Sequence, residues 1–358
     1  MDDCASLLVV LSTVLSYSIL LEPFEGLLTS TQPENMRRVG VLTASSTSGK
    51  ACIQRLLLAE KGMEVRACFR SEAKKVECVP PLLQNCGWST TTAAASPLEV
   101  KVGVDAEDIS SLDRALEGCD TAVIVTPLDY GRGFGQDAEL SINMVRSAIR
   151  QGVERVIHVG SWTTVVPDAL PGLSQRFIPT EEFLRNSKDV PSDLEWCVLR
   201  GGYFFNNLAH MFGESLRGGA TSLAFPAVKM PPVDVRDIGE IAAELCLLDS
   251  GDNSFAPFQR RFLQCSGPSI LSFTSIVRGI GDALGRGRLH HETIGVEAWC
   301  EGKPPPLQEL LRYMVEKQET AVPFDSRDIE DMERLLGRPL RGIAEWAHDH
   351  KALFIQSK

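Results

Sequence analysis

The sequence predicts an α/β protein: a doubly wound parallel sheet followed by a smaller, mostly helical C-terminal lobe. Three observations carry this prediction. From residue 39 onward, short apolar runs alternate with helix-length amphipathic segments, the pattern of parallel strands covered on both faces. The first run, Val39-Gly40-Val41-Leu42, passes through a patch of tiny residues (Thr43 to Ser48) directly into a helical segment at 49–60. Beyond residue 200 the rhythm loosens into helical pattern broken by Gly and Pro, with too little β for a second sheet of the same kind.

The bulk numbers narrow the class. The 358 residues suit one large α/β domain or two small ones, and 44% hydrophobic with 23% charged is an ordinary globular balance. A net charge of −11 argues against nucleic acid as a partner, because phosphate backbones are bound by clustered Lys and Arg. The ten cysteines form no Cys-x-x-Cys pair and several lie inside apolar runs, so they read as reduced core residues of an intracellular protein. The six histidines show no metal-ligand spacing. His290-His291, the one cluster, reads as a solvated strand edge.

In chain order, residues 1–35 form an apolar extension. The run 5–22 is strongly apolar, yet Met1-Asp2-Asp3 lacks the positive start of a signal peptide, and the run is short and Ser-dotted for a membrane anchor. The favoured expectation is a segment outside the native fold, with Met36-Arg37-Arg38 opening a cytoplasmic protein; an anchor or organelle-targeting segment is the alternative. Residues 36–265 are expected to form the sheet domain, with strands at 39–42, 64–69, 98–104, 121–126, 153–159, 195–200 and 261–265. Each is a short run rich in Val, Ile, Leu and small apolar residues. Helices are expected at 49–60, 109–116, 138–151, 181–186, 204–217 and 233–249; the fourth-strand helix carries Leu140, Met144, Ala148 and Ile149 on one face. Residues 78–98, with Pro80-Pro81 and a Thr/Ala tract, read as a surface insertion. Residues 266–358, with parts of 163–235, are expected to form a lobe over a substrate pocket.

Strand, small-residue turn and helix is how a dinucleotide pyrophosphate is held, with backbone N–H groups at the helix N-terminus pointing at the anion. The usual spacing is Gly-x-x-Gly-x-x-Gly; here Thr43, Ser46 and Gly49 occupy those positions, so only the third glycine is present. Thr43, Ser46, Thr47, Ser48 and Gly49 are the candidate pyrophosphate residues, against the plainer reading of a turn that has lost its ligand. Arg70 ends the second strand, where an acidic residue selects NAD and an arginine accommodates the 2′-phosphate of NADP. Arg70 and Lys74 therefore make a candidate phosphate clamp and point to NADP(H), with a solvated loop as the alternative. Asp105, after the third strand, is placed to flank the adenine. Ligands in such sheets bind beyond the carboxyl ends of the strands, which selects Thr126 and Pro127 after strand four and Ser161 and Trp162 after strand five to border the nicotinamide. In short-chain dehydrogenases a strand-five serine orients a carbonyl and a Tyr-x-x-x-Lys pair supplies the acid. No such pair follows Ser161; the segment Gln175-Arg176-Phe177 to Glu182 stands there without tyrosine or lysine. Tyr203 is the nearest candidate acid by position, although an aromatic in a pocket wall is the stronger reading. Ser161 and Tyr203 are thus the candidate catalytic residues, and Trp162, Phe177, Tyr203, Phe204 and Asn207 the candidate substrate residues.

Arg70-x-x-x-Lys74, Ile178-x-Thr180-Glu181-x-x-Leu184 and Leu199-Arg200-x-Gly202-Tyr203-x-x-x-Asn207 together resemble the NmrA-like atypical short-chain dehydrogenases. Phe324-Asp325-Ser326 with Leu336-Gly337-Arg338-Pro339 resembles the closing segment of the QorB-type NADPH quinone oxidoreductases. The resemblance spans about 37 to 355. It implies a Rossmann domain binding NADP(H), a C-terminal lobe closing over it, and either of two functions: hydride transfer from NADPH to a quinone or similar small flat acceptor, or non-catalytic redox sensing through partner proteins. The chain departs from the group at the Gly-rich loop and at Phe177, where many members carry His or Lys. The expected partner is a small molecule, with no metal and no nucleic acid; membrane contact would require 5–22 to act as an anchor, and homodimer formation is left open.

Overall fold

The computed structural model describes residues 37–59, 63–87, 98–127, 136–249, 251–287 and 289–355. The apolar run at 5–22 lies outside them. Seven strands form one parallel sheet: β1 (Arg38–Leu42), β2 (Glu64–Phe69), β3 (Leu98–Val102), β4 (Thr121–Val125), β5 (Arg155–Ser161), β6 (Glu195–Gly201) and β9 (Arg261–Cys265). Their order is β3-β2-β1-β4-β5-β6-β9. The order reverses between β1 and β4, so a crevice opens beyond their carboxyl ends. All seven strands expected from the sequence are present.

Period-2 alternation divides each strand between two cores. In β4, Val123 faces one layer while Ala122 and Ile124 face the other. The first layer holds α1 (Thr47–Leu58), α2 (Glu72–Asn85) and α8 (Val235–Leu247); the second holds α3 (Ile109–Leu116), α4 (Gln136–Arg150) and α6 (Ile178–Asn186). Helix α1 buries Cys52, Ile53, Leu56 and Leu57, an i, i+1, i+4, i+5 face. Helix α8 starts at the Asp234 cap, whose carboxylate accepts the Arg236 N–H. Its Gly239 lies against the first turn of α1: a Cβ there would sit 2.3 Å from the Ser48 carbonyl oxygen, so the two helices meet backbone to backbone.

The insertion expected over 78–98 is corrected in part. Residues 78–85 belong to α2, with Cys78, Leu82 and Leu83 buried against the first layer. Pro80 and Pro81 each remove a helical hydrogen bond, which normally ends a helix. Here the i, i+4, i+5 apolar contacts outweigh that loss, and the Ser71 hydroxyl caps the start. Residues 88–97 lie outside the described residues.

A third core is built on α7 (Phe205–Arg217), α9 (Phe273–Ala283), α10 (Val296–Cys300), α11 (Pro305–Lys317) and α13 (Ile343–Asp349). Two small sheets support it: β7 (Ser222–Phe225) with β11 (His290–Thr293), and β8 (Lys229–Met230) with β10 (Leu271–Ser272). His290 and His291 lie on β11. Trp162 and Tyr203 contribute to this core from the sheet edge. The stretch after 265 is not one lobe throughout: α12 (Ser326–Leu336) returns to the first sheet layer, where Ile329, Met332 and Leu336 are buried. The nine described cysteines are free thiols, eight of them buried; burial pushes Cys119 up to about 11 and Cys246 to about 12, so they act as packing groups.

Candidate functional site

The turn from β1 into α1 is built without two of its usual glycines. Thr43 adopts a left-handed backbone, φ 61°, the conformation for which the first glycine would normally be used. That conformation costs a β-branched residue on the order of 1–2 kcal/mol. The Thr43 hydroxyl offsets part of the cost by donating to the Val125 carbonyl at 2.9 Å, tying the ends of β1 and β4 together. Ser46 is the N-cap: its hydroxyl accepts the Gly49 N–H at 3.0 Å, and its own N–H donates to the Thr43 carbonyl. Gly49 is required by space, since a Cβ would lie 2.8 Å from both Ser46 Oγ and the Thr43 carbonyl. The cap thus takes up one N–H that an anion would otherwise receive. The N–H groups of Thr47 and Ser48, the first two helical residues, are of the kind a helix leaves without an intrahelical partner.

Two clefts flank this turn. The first, about 480 Å³, lies beyond β2 and is lined by Thr43, Arg70, Ser71, Lys74, Asp105 and Pro127, among others. It brings together Arg70, Lys74 and Asp105, expected at the adenosine end, and one expectation is corrected: Pro127, expected to border the nicotinamide with Thr126, lines this cleft and not the other. Arg70 pairs with Asp105 at 3.3 Å and Lys74 with Glu77 at 2.7 Å; both cations are more than half exposed, so these pairs exchange easily.

The second cleft, about 240 Å³, lies beyond β4, β5 and β6. Thr126, Ser161, Trp162, Phe177, Tyr203, Phe204 and Asn207 all line it, with Ser48 from α1 and Leu310 from α11. Of the loop residues, Ser46 and Gly49 line neither cleft, and Thr47 faces a third cavity of about 670 Å³ behind α1. Four cations of that third cavity are committed to structure: Arg338 and Arg341 bind Asp237 and Glu240, Arg236 binds Asp234 and Asp349, and Arg55 binds Glu244; Lys50 also lines it.

The second cleft has a polar floor. Thr126 Oγ1 lies 3.0 Å from His158 Nε2, 3.2 Å from the Val159 carbonyl and 3.3 Å from Ser141 Oγ. His158 is wholly buried, and desolvation lowers its pKa from 6.5 to about 4, so the imidazole is neutral at physiological pH. Ser161 Oγ accepts from the Thr163 N–H and hydroxyl at 3.3 and 3.1 Å. The Tyr203 hydroxyl meets the Met211 sulfur at 3.7 Å, and burial pushes its pKa well above the usual tyrosine value. A phenol held in its neutral form this firmly is a poor proton donor, which favours the pocket-wall reading of Tyr203 over the catalytic one. Trp162 stacks on Tyr313 of α11 at 6.4 Å between ring centroids, so the lobe supports the cleft's aromatic wall.

Sequence reasoning overlooked two polar members of this region. Arg176 lines the second cleft and pairs with Asp137 of α4, both buried. Nothing in a Tyr-x-x-x-Lys spacing marks it. His158 sits mid-strand in an apolar run with nothing in its spacing to mark it. Among the described residues there is no group of three or more side chains that could hold a metal, and no helix long and apolar enough to cross a membrane.

Comparisons with known proteins agree with this geometry. Residues 44–219 match the family described as NAD(P)H-binding. The chain is 25% identical over 253 residues to a (4-alkanoyl-5-oxo-2,5-dihydrofuran-3-yl)methyl phosphate reductase of Streptomyces griseus, covering 69% of this chain and 81% of that protein. In fold it is similar to the Escherichia coli NADPH-dependent quinone oxidoreductase QOR2 solved with NADPH, at 19% identity and a TM-score of 0.65 over 87% of this chain and 99% of that one. It is similar to the same degree to NmrA, a negative transcriptional regulator solved with NAD, at 16% identity and a TM-score of 0.64 over 88% of this chain and 95% of that one. Turn, crevice, sheet order and family match converge on an NAD(P)H-binding domain over residues 44–219, in the fold shared by the quinone oxidoreductase and NmrA.

Proposed function

We propose that this protein is an NADPH-dependent reductase that transfers a hydride to a quinone or a similarly small, flat acceptor. The observation that carries the reading is the pairing of the two clefts across one turn: a cation-lined one beyond β2 and an aromatic-walled one beyond β4 to β6. The residues present fit the dinucleotide. Arg70 and Lys74 supply the charges for a 2′-phosphate, Asp105 and Pro127 border the adenosine end, and the turn from Thr43 to Gly49 presents the α1 N-terminus to the pyrophosphate. Bound NADPH would supply the hydride. Thr126 and Ser161 would orient the reacting face with hydroxyls already fixed by His158 and Thr163. Trp162, Phe177, Tyr203, Phe204 and Asn207 would hold a planar acceptor and exclude water, with Leu310 of α11 adding to the cover. A flat conjugated acceptor suits a pocket without Tyr-x-x-x-Lys, because its reduced form is a stabilised anion that needs no strong acid.

A second reading has its own support. The tied Tyr203 hydroxyl and the Ser46 cap are also compatible with a protein that senses NADP(H) without turnover. Titrating the full chain with NADPH and NADH, and following melting temperature, comes first. The reductase reading expects NADPH to bind more tightly than NADH and to be oxidised with at least one member of a quinone panel. Binding without oxidation across quinones and carbonyls would favour the sensor, and binding of neither dinucleotide would sink both.

A further inference from the structure

Reduction of a conjugated carbonyl by hydride places negative charge on an acceptor oxygen. The surrounding groups must stabilise that charge until a proton arrives. Tyr203 is poorly suited to supply the proton, since its hydroxyl lies against Met211 in a buried position. Among the described residues lining the second cleft, Arg176 alone carries a charge. Its side chain is 3% exposed, and its Nε donates at 2.5 Å to Asp137, whose carboxylate is fully buried. Asp137 lies in the first turn of α4, where the helix dipole favours a carboxylate. A guanidinium is a planar fork of N–H donors that stays charged, and its Nε–H donates to Asp137 here. The pair costs desolvation energy, and apolar side chains would join α4 to the segment before α6 more cheaply. A charge held on the wall of an otherwise neutral pocket has a chemical use there.

Resting on the reductase reading, we propose that Arg176 stabilises the oxyanion formed on the acceptor, and that the pocket therefore selects acceptors whose reduced form is an oxyanion. The hydride forms an O–H bond at one carbonyl of the quinone, whose C=O π bond opens, and the conjugated π pairs shift through the ring onto the distal carbonyl oxygen. That oxygen is held by the guanidinium, which keeps its own proton. A proton from water then completes the quinol, so one quinone, one NADPH and one proton yield quinol and oxidised dinucleotide. Asp137 is a positioning residue that fixes the guanidinium.

The test uses the full chain without added cofactor. Binding of 2-hydroxy-1,4-naphthoquinone, ionised at neutral pH, is compared with neutral 1,4-naphthoquinone by quenching of tryptophan fluorescence. The wild type is expected to prefer the anion, and Arg176→Met to lose about tenfold or more of that preference while changing neutral-quinone binding little; Arg176→Lys should retain part of it. With NADPH added, Arg176→Met should lower kcat by about 10²-fold, the scale for losing one oxyanion donor, without altering the NADPH Kd. Because Arg176→Met leaves Asp137 buried without this partner, the double variant Asp137→Leu/Arg176→Met is measured alongside it. A folded double variant that keeps the anion preference and kcat overturns the inference, as does a wild type with no anion preference. Anion preference in a wild type that oxidises no NADPH would instead overturn the reductase reading, and with it the catalytic role of Arg176.

Discussion

The two clefts handle charge in opposite ways. Beyond β2, Arg70 and Lys74 are mostly exposed and pair loosely with neighbouring carboxylates. Beyond β4 to β6, Arg176 and Asp137 are buried and fixed to each other. Exposed pairs exchange partners at small cost, which suits a phosphate that arrives and departs. A buried pair is preorganised, which suits charge that appears for an instant during reaction. On the proposed reductase reading, the difference separates a region suited to binding from one suited to chemistry.

The sharpest way to break this comparison is to remove one carboxylate from each side. Asp137→Ala should cost about 3–5 kcal/mol in denaturant unfolding, because it removes a buried carboxylate that is paired with a buried cation. Asp105→Ala should stay within about 0.5 kcal/mol, as expected of an exposed position. Similar losses would show that the two clefts do not differ in this respect.

The polar floor adds a pH signature on the chemical side only. The unfolded chain protonates His158 from about pH 6.5 downward, while the folded chain resists until about pH 4. Stability from the buried neutral ring is therefore full above pH 6.5 and lost as pH falls through that window, by about 3 kcal/mol in total. His158→Asn should lose that much less than wild type between pH 6.5 and pH 4 in denaturation curves measured across the range.

On the binding side, Arg70→Glu should weaken NADPH by about 10–100-fold, equivalent to losing one charge-assisted contact. NADH should change by less than about threefold in the same titration; equal loss for both dinucleotides would remove the 2′-phosphate assignment. The smallest effect belongs to the turn itself. Ser46→Gly should cost only a few tenths of a kcal/mol in helix capping while tightening NADPH about two- to fivefold, since the Gly49 N–H is released toward the anion. No change in NADPH affinity would show that the Ser46 hydroxyl does not compete for that site.

The seven sheet strands were legible because parallel strands buried on both faces need continuous apolar runs. Helix α2 was partly hidden by Pro80-Pro81, a local breaker outweighed by tertiary contacts of Cys78, Leu82 and Leu83. The small strands β7, β8, β10 and β11, two to four residues each, are too short to carry a period. Both cleft walls followed from one rule, that ligands lie beyond strand carboxyl ends at the point where strand order reverses. The roles of Arg176 and His158 did not follow. Asp137 lies 39 residues from Arg176, and His158 meets Thr126 across adjacent strands, so each depends on contacts that linear spacing does not encode.

The return of α12 to the sheet has a mechanical consequence. The chain leaves the first layer after β9, builds much of the lobe, and then docks back: Asp328 binds Arg261 and the Gln264 N–H, and Arg338 and Arg341 bind α8. The lobe is therefore strapped down at both ends. It can rock over the crevice, but it cannot swing wide like a flap on one hinge without tearing ion pairs from the sheet domain. After that docking the chain re-enters the lobe through α13 and buries Trp346 and Phe354 in its core, so lobe and sheet domain are stitched together by repeated passages of one chain.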